Sequence, residues 1–315
     1  MSYNVENLFD YRHDTLKEDY DFLPDAVRHW DKYKYRKKLD DVARVIIATG
    51  GWMAPALVGL CEVENDSVLL DLIHYSALRE AGYRYIMTQS NDIRGIDVAL
   101  LYQRHLFKPI YNQSIRITPP NKYEKATRDI LHVSGILLNR DTLDVFIAHF
   151  PSRSGGRKQT ESYRMQAARR LKTTIDSIMQ LRERPQILIM GDLNAPPTNR
   201  SIQEGLKAHL TTSTIVPHRL YQLLAQKTKK KDFGSYKYQG IWELIDHIIV
   251  SGSLLQKDAP LSTSEENADI GLWPFLLNDD KRYGGNQPFR TYQGMKYQGG
   301  YSDHLPIWAE FQLLY

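Results

Sequence analysis

A single cysteine in 315 residues rules out an internal disulfide. Cys61 stands inside the apolar run at 57–63, where a buried, inert thiol is expected rather than a nucleophile. No stretch reaches the ~20 apolar residues that span a bilayer, and the N-terminus lacks the charged-then-apolar pattern of an export signal. The chain therefore reads as a soluble domain, with its compartment left open. There is no glycine loop followed by Lys and Ser or Thr, so nucleoside triphosphate hydrolysis has no support. Histidines and the cysteine never fall at metal-ligand spacing, so no structural zinc is expected. Nor does any segment repeat with a period of about 20–50 residues.

Net charge is also small. A formal +4 and a pI near 8.9 suit an anionic ligand without requiring one. With 42% hydrophobic and 25% charged residues, the chain can bury a sizeable core. Its longest polar stretches, at 227–232 and 258–269, are short and flanked by apolar residues. They read as surface loops, and residues 1–315 are expected to form one domain. The lysines at 229–231 belong to the first of these loops. Only three residues precede Asn4, whereas a strand runs about 5–6. The native chain is therefore expected to begin upstream, where a removed export or lipoprotein signal would fit.

Periodicity fills in the rest. Leu39, Val42, Ala43, Ile46 and Ile47 have the spacing of a one-sided helix over 35–48, stopped by Gly50-Gly51. The run 57–63 is a strand leading to Glu62 and Glu64, and Asp66 is the expected cap of a helix reaching about Ala81. Stretches 83–87, 96–102, 110–117, 130–138 and 143–149 are rich in β-branched and aromatic residues. Several lie too close together for intervening helices, which calls for hairpins. Met165, Ala168, Leu171, Ile175, Ile178 and Met179 mark a long amphipathic helix over 161–181, ended by Pro185. Strands follow at 187–190, 244–250 and 305–311, with a helical region after the first of them.

Polar clusters fall where these strands begin or end: Ser2-Tyr3-Asn4-Val5-Glu6-Asn7, Glu62, Ala148-His149-Phe150-Pro151-Ser152-Arg153, Gly191-Asp192-Leu193-Asn194, Asp246, and Tyr301-Ser302-Asp303-His304-Leu305-Pro306. Taken singly each has an ordinary reading. A Gly-Asp-x-Asn is usually a turn, an isolated strand-end Glu is usually solvated, and a histidine before a strand is often structural. Taken in order, Asn4, Glu62, His149, Asp192 with Asn194, Asp246, and Asp303 with His304 resemble the endonuclease/exonuclease/phosphatase superfamily. That group includes pancreatic-type deoxyribonucleases, apurinic-site endonucleases, neutral sphingomyelinases and inositol polyphosphate phosphatases.

The resemblance spans nearly the whole chain. It implies an α/β four-layer sandwich: two packed, mostly antiparallel mixed sheets with helices on both outer faces. It also implies a set of roles. Glu62 would be the main Mg²⁺ ligand, with Asn4 and Asp303 assisting and Mn²⁺ or Ca²⁺ as alternative ions. Asp192 would orient or deprotonate the attacking water, and Asn194 would hold the water or a phosphate oxygen. Asp246 would fix the tautomer of His304, and His149 would protonate the leaving oxygen, with Asp97 as its orienter. His149 matches the deoxyribonuclease and sphingomyelinase branches and departs from apurinic-site endonucleases. The Pro-x-Trp-Cys-Asp-Arg signature of inositol phosphatases is absent.

Arg153, Arg157 and Lys158, around Gly155-Gly156, are expected at substrate phosphate, although a solvated loop explains them equally well; Arg128 is a weaker candidate. Tyr20, Trp30, Tyr33 and Tyr35 among Arg28, Lys32, Lys34, Arg36 and Lys37 could stack bases, but a surface helix with aromatic anchors is the ordinary reading. The functional expectation is a Mg²⁺-dependent phosphodiesterase, first a nuclease acting on DNA or RNA as a monomer without a protein partner. A sphingomyelinase-like or phosphomonoester hydrolase is the alternative within the same chemistry. An inactive binding module of the same fold is the alternative outside it, disfavoured because all four acids stand.

Overall fold

The computed structural model describes residues 1–120 and 125–314. One sheet has six strands, in the order Ala268–Ile270, Ile307–Ala309, β1 (Ser2–Leu8), β2 (Leu57–Val63), β4 (Asp97–Gln103), β3 (Tyr83–Met87). The other has seven: β5 (Phe107–Ile115), β6 (Ile130–Leu137), β7 (Thr142–His149), β8 (Ile187–Asp192), β13 (Asp246–Ser251), β10 (Leu220–Gln222), β9 (Ala208–Leu210). Pairs β1–β2, β7–β8 and β9–β10 are parallel, and the remaining pairs within these sheets are antiparallel. A separate hairpin, β11 (Tyr236–Tyr238) and β12 (Ile241–Glu243), leans on the C-terminal segment through a bridge from Tyr236 to His304.

The two sheets pack face to face, β1 and β2 of the first against β7, β8 and β13 of the second. Their approach is close at Gly59, where a Cβ would lie 2.7 Å from Ile147 Cδ1 and 3.3 Å from Met190 Cγ. Helix α1 (Lys32–Gly50) packs on β1 and α2 (Asp66–Tyr75) on β3, while α3 (Glu161–Leu181) covers the outer face of the seven-stranded sheet. The α3 stripe Ala167, Ala168, Leu171, Ile175 and Met179 packs with Phe146, Ala148, Ile187 and Ile189. Burying each large aliphatic there is worth about 1.5–3 kcal/mol. The result is the four-layer sandwich, helices outside and sheets inside.

Local chemistry moves several boundaries. Helix α1 starts at Lys32 because Asp31 accepts from the Lys34 N–H at 2.9 Å. The cap of α2 is Asn65, which accepts from Val68 N–H, not Asp66. The helix expected to reach Ala81 stops at Tyr75, since Ser76 is extended and its hydroxyl caps a separate short turn, Ala77–Ala81. After β8 the expected helical region holds only a π turn, Ser201–Gly205, and a 3-10 turn, Ala225–Lys229, on either side of the short strands β9 and β10. The last strand divides into Ile307–Ala309 and Gln312–Leu313. The aromatic-basic stretch divides: Trp30 is buried and donates to the Phe9 carbonyl, and Tyr35 is buried, which withdraws both from base stacking, while Tyr20 and Tyr33 stay exposed.

Candidate active site

The alternation of three neighbouring strands aims three polar side chains at one point. In β7, Val145 and Ile147 face the core between the sheets while Phe146 and Ala148 face α3, so His149 follows Ile147 to the inner side. Leu188 and Met190 lead in the same way to Asp192 in β8, and Ile248 and Val250 share the inner side with Asp246 in β13. His149 is the register partner of Asp192, and Asp192 of Asp246. The three form a cross-strand row at one edge of the sheet.

Glu62 arrives there against alternation. Gly59 and Cys61 face the other sheet, the Cys61 thiol pointing to the Ala148 carbonyl, so strict alternation would turn Glu62 toward the helices. A bulge between Cys61 and Val63, with Glu62 at φ 69°, brings it back. Strand β1 is irregular between Asn4 and Leu8, with Glu6 at φ 52° and Asn7 at φ 58°, and Asn7 N–H donates to Glu62 Oε2 at 3.0 Å.

Asn4 joins the two sheets. Its Nδ2 donates to Glu62 Oε1 at 3.3 Å and Asp192 Oδ2 at 3.1 Å, while its Oδ1 accepts from Glu6 N–H at 3.0 Å. In this arrangement Asn4 stands as a donor between two carboxylates. Asp192 Oδ1 accepts from the Asn194 N–H at 2.8 Å, and Asn194 Nδ2 donates to Asp192 Oδ2 and to the Phe150 carbonyl. Asn194 takes φ 49°, a conformation asparagine tolerates. His304 Nδ1 lies 2.7 Å from Asp246 Oδ2, which also accepts from Ser235 Oγ at 2.6 Å. His304 Nε2 faces Asp192 Oδ2 at 3.8 Å; His149 Nε2 faces the same oxygen at 3.5 Å and Glu62 Oε1 at 3.9 Å.

Their surroundings push the two imidazoles in opposite directions. Burial, followed by the cations Arg128 and Arg94 and by His304, keeps His149 well below the usual imidazole value. Burial also opposes charge on His304, but Asp246, Asp192 and Asp303 outweigh it and hold that ring well above the usual value. Burial pushes Asp192 up to about 7; His304 opposes the rise and Asp246 adds to it. Environments that push titratable groups apart are what acid-base chemistry requires.

A cavity of about 540 Å³ opens over this cluster. Glu62, His149, Asp192, Asn194, Asp303 and His304 line it, and Asn4 and Asp246 stand directly behind, bonded as above. Three expectations change. Asp97 does not orient His149: its oxygens accept from Thr88 and Ser90, and His149 Nδ1 is buried without a hydrogen-bond partner. Lys158 is exposed and outside the cavity lining, whereas Arg153 and Arg157 line it and both bond to Glu243. Arg128 lies buried beneath, donating to the Phe150 carbonyl and Asp92. Sequence reasoning missed Arg94, Tyr236 and Tyr238, which also line the cavity. The i, i+2 spacing of the two tyrosines puts them on one strand face, a signal readable only once the hairpin is known.

Among the described residues, Asp192, Asp246 and His304 each bring a ligand atom within 4.8 Å of one another. The His304–Asp246 hydrogen bond already occupies one side of that group. Glu62 and Asp303 instead offer carboxylate oxygens on the cavity wall, Asp303 keeping one oxygen beyond the Arg290 ion pair at 2.6 Å. An oxygen donor set facing a polar cavity fits a hard divalent cation.

A two-sheet sandwich with acids and imidazoles gathered at one edge defines a phosphoester-hydrolase architecture. The chain belongs to the endonuclease/exonuclease/phosphatase family, whose profile matches residues 1–312. No curated protein matches it. Among solved structures it is similar to a mannosyl-6-phosphatase of Bacteroides thetaiotaomicron (15% identity, TM-score 0.60, 99% of this chain and 98% of that one). It is similar also to the human Nocturnin catalytic domain with bound sulfate (17%, 0.56, 89% and 87%). A third is D. rerio TDP2 complexed with single-strand DNA product (14%, 0.56, 87% and 93%). At these identities the likeness establishes a shared fold.

Proposed function

We propose that residues 1–315 form one divalent-metal-dependent phosphodiesterase domain that cleaves nucleic acid. The observation carrying this reading is the convergence of Glu62, His149, Asp192 and His304 on one cavity, with Arg94, Arg153, Arg157, Tyr236 and Tyr238 around it. Arginines match phosphates and tyrosine faces match bases. That one fold neighbour holds a single-strand DNA product supports the same substrate class.

Hydrolysis exchanges one P–O bond for another by in-line attack of water. Asp192, poised near neutrality, takes the proton from that water while Asn194 fixes the carboxylate. His304 is the imidazole held protonated, so it balances charge on the phosphoryl group and has a proton to give the leaving oxygen. Asp246, at Nδ1, fixes the ring's orientation and supports its charge. His149, whose burial favours the neutral ring, offers Nε2–H to a phosphoryl oxygen. Glu62 and Asp303 would hold Mg²⁺, with Mn²⁺ or Ca²⁺ as substitutes, and the ion would supply charge neutralisation at the phosphate.

The test is a substrate panel with Mg²⁺: a single-stranded oligonucleotide, bis-p-nitrophenyl phosphate, sphingomyelin and mannose 6-phosphate. Cleavage of the first two ahead of the others is expected. Turnover confined to the monoester would replace this reading with a sugar phosphatase, like the Bacteroides mannosyl-6-phosphatase of the same fold.

A further inference from the structure

The cavity mouth carries an arrangement that hydrolysis at the centre does not use. Arg153 Nη2 lies 2.9 Å from Glu243 Oε2, and Arg157 Nη2 lies 2.7 Å from Glu243 Oε1. One carboxylate thus bridges two guanidiniums, tying the loop after β7 to the end of β12. Glu243 and Arg153 are mostly buried, at 12% and 14% side-chain exposure, while Arg157 keeps 60%. Arg153 Nη1 is buried with no hydrogen-bond partner. On the same hairpin, Tyr236 and Tyr238 line the cavity, and the Tyr236 ring lies 5.0 Å from that of His304. The arginines share that lining with His149 and His304.

Resting on the nuclease reading, we infer that Arg153, Glu243 and Arg157 form a second subsite, which binds the phosphate next to the scissile one and which Glu243 tunes to an internal phosphodiester. Two guanidiniums and one carboxylate leave one net positive charge. That matches the single negative charge of an internal phosphodiester and undershoots a terminal phosphate, which carries about −1.5 to −2 at neutral pH. Arg157 keeps free donors at the mouth, and Arg153 holds one in reserve at Nη1. Tyr236, on the cavity wall beside His304, offers a ring face to the nucleoside that joins the two phosphates. A simple structural latch would need one arginine; two arginines on one acid leave surplus positive charge facing the cavity.

The experiment compares kcat/KM on three substrates: a trinucleotide with two internal phosphodiesters, a dinucleotide carrying a terminal phosphate beside its one diester, and bis-p-nitrophenyl phosphate, which has no neighbouring phosphate. For Arg157→Ala the ratio of trinucleotide to bis-p-nitrophenyl phosphate should fall about tenfold, through KM rather than kcat, the loss expected for one charge-assisted hydrogen bond. For Glu243→Gln, nearly the same shape, the terminal-phosphate dinucleotide should gain about tenfold on the trinucleotide. Equal losses on all three substrates in Arg157→Ala, or an unchanged preference in Glu243→Gln, would overturn the subsite. If the wild-type protein cleaves none of the three, the nuclease reading fails instead, and the two failures are told apart.

Discussion

His149 and Asp192 are register partners at the ends of the parallel strands β7 and β8, and their side chains meet with Nε2 3.5 Å from Oδ2. Neither residue was placed by a loop. Each is the last inward position of an alternating strand, so whatever fixes the β7–β8 register fixes the reacting geometry. Asp246 extends the row from the other side of β8, and His304 is bonded to Asp246. The centre is thus built on sheet hydrogen bonds, stiffer than a loop-borne site.

Gly191 guards that register. It has φ 141°, and a Cβ there would lie 1.9 Å from the Ala148 carbonyl oxygen, backbone that has no room to move. Gly191→Ala should therefore destabilise the protein by more than about 4 kcal/mol or prevent folding. Urea unfolding would read this, and a loss below about 1 kcal/mol would mean that β7 and β8 separate without consequence.

Asp246→Asn should keep the fold and lower kcat by about 100- to 10,000-fold, because an amide can stabilise the wrong imidazole tautomer and cannot support a cationic His304. His304→Ala should lose a comparable factor, and the double variant much less than the product of the two. Multiplicative losses would show that the two residues act independently.

The sequence carried the strand-end acids and imidazoles because alternation and order along the chain are local properties. Asp246 and His304 stand 58 residues apart, and their pairing was legible only through the family resemblance. Glu62 is different: alternation alone sends it toward the helices, and a bulge with positive φ turns it inward. Asp97 was misread because its position near a strand start says nothing of its partners, which proved to be Thr88 and Ser90. Which amide atom of Asn4 faces the acids is set by Glu6 N–H, a backbone contact that the sequence does not display. Arg94 and the β11–β12 tyrosines lie on segments whose approach to the cavity is a property of tertiary packing. The helix expected to run to Ala81 failed at Ser76, whose hydroxyl caps a new turn instead of extending the old one.

Mg²⁺ should raise the melting temperature of the wild-type protein, since an ion bound only by the folded state adds about 2.7 kcal/mol at 100-fold over Kd. Glu62→Gln should remove most of that rise while melting close to the wild type without metal. An unchanged Mg²⁺ response would move the ion to other residues, first to Asp192, Asp246 and His304.

Asp97 gives the protein a pH-dependent stability of defined sign. Burial pushes its carboxyl up to about 6, against the opposing bonds from Thr88 and Ser90. The folded protein therefore holds this proton more tightly than the unfolded chain, whose value is 3.8. Its stabilising contribution is full below about pH 4 and is lost as pH rises through about 6. Two units at 1.36 kcal/mol each give a loss of about 3 kcal/mol between those limits. Asp97→Asn has no such proton, so the difference in unfolding free energy between wild type and variant should drift in the variant's favour by about 2–3 kcal/mol from pH 4 to pH 7. Urea titrations of both proteins across that range would measure it. Parallel pH profiles would mean that Asp97 is charged in the fold throughout, with its bonds to Ser90 and Thr88 compensating its burial in full.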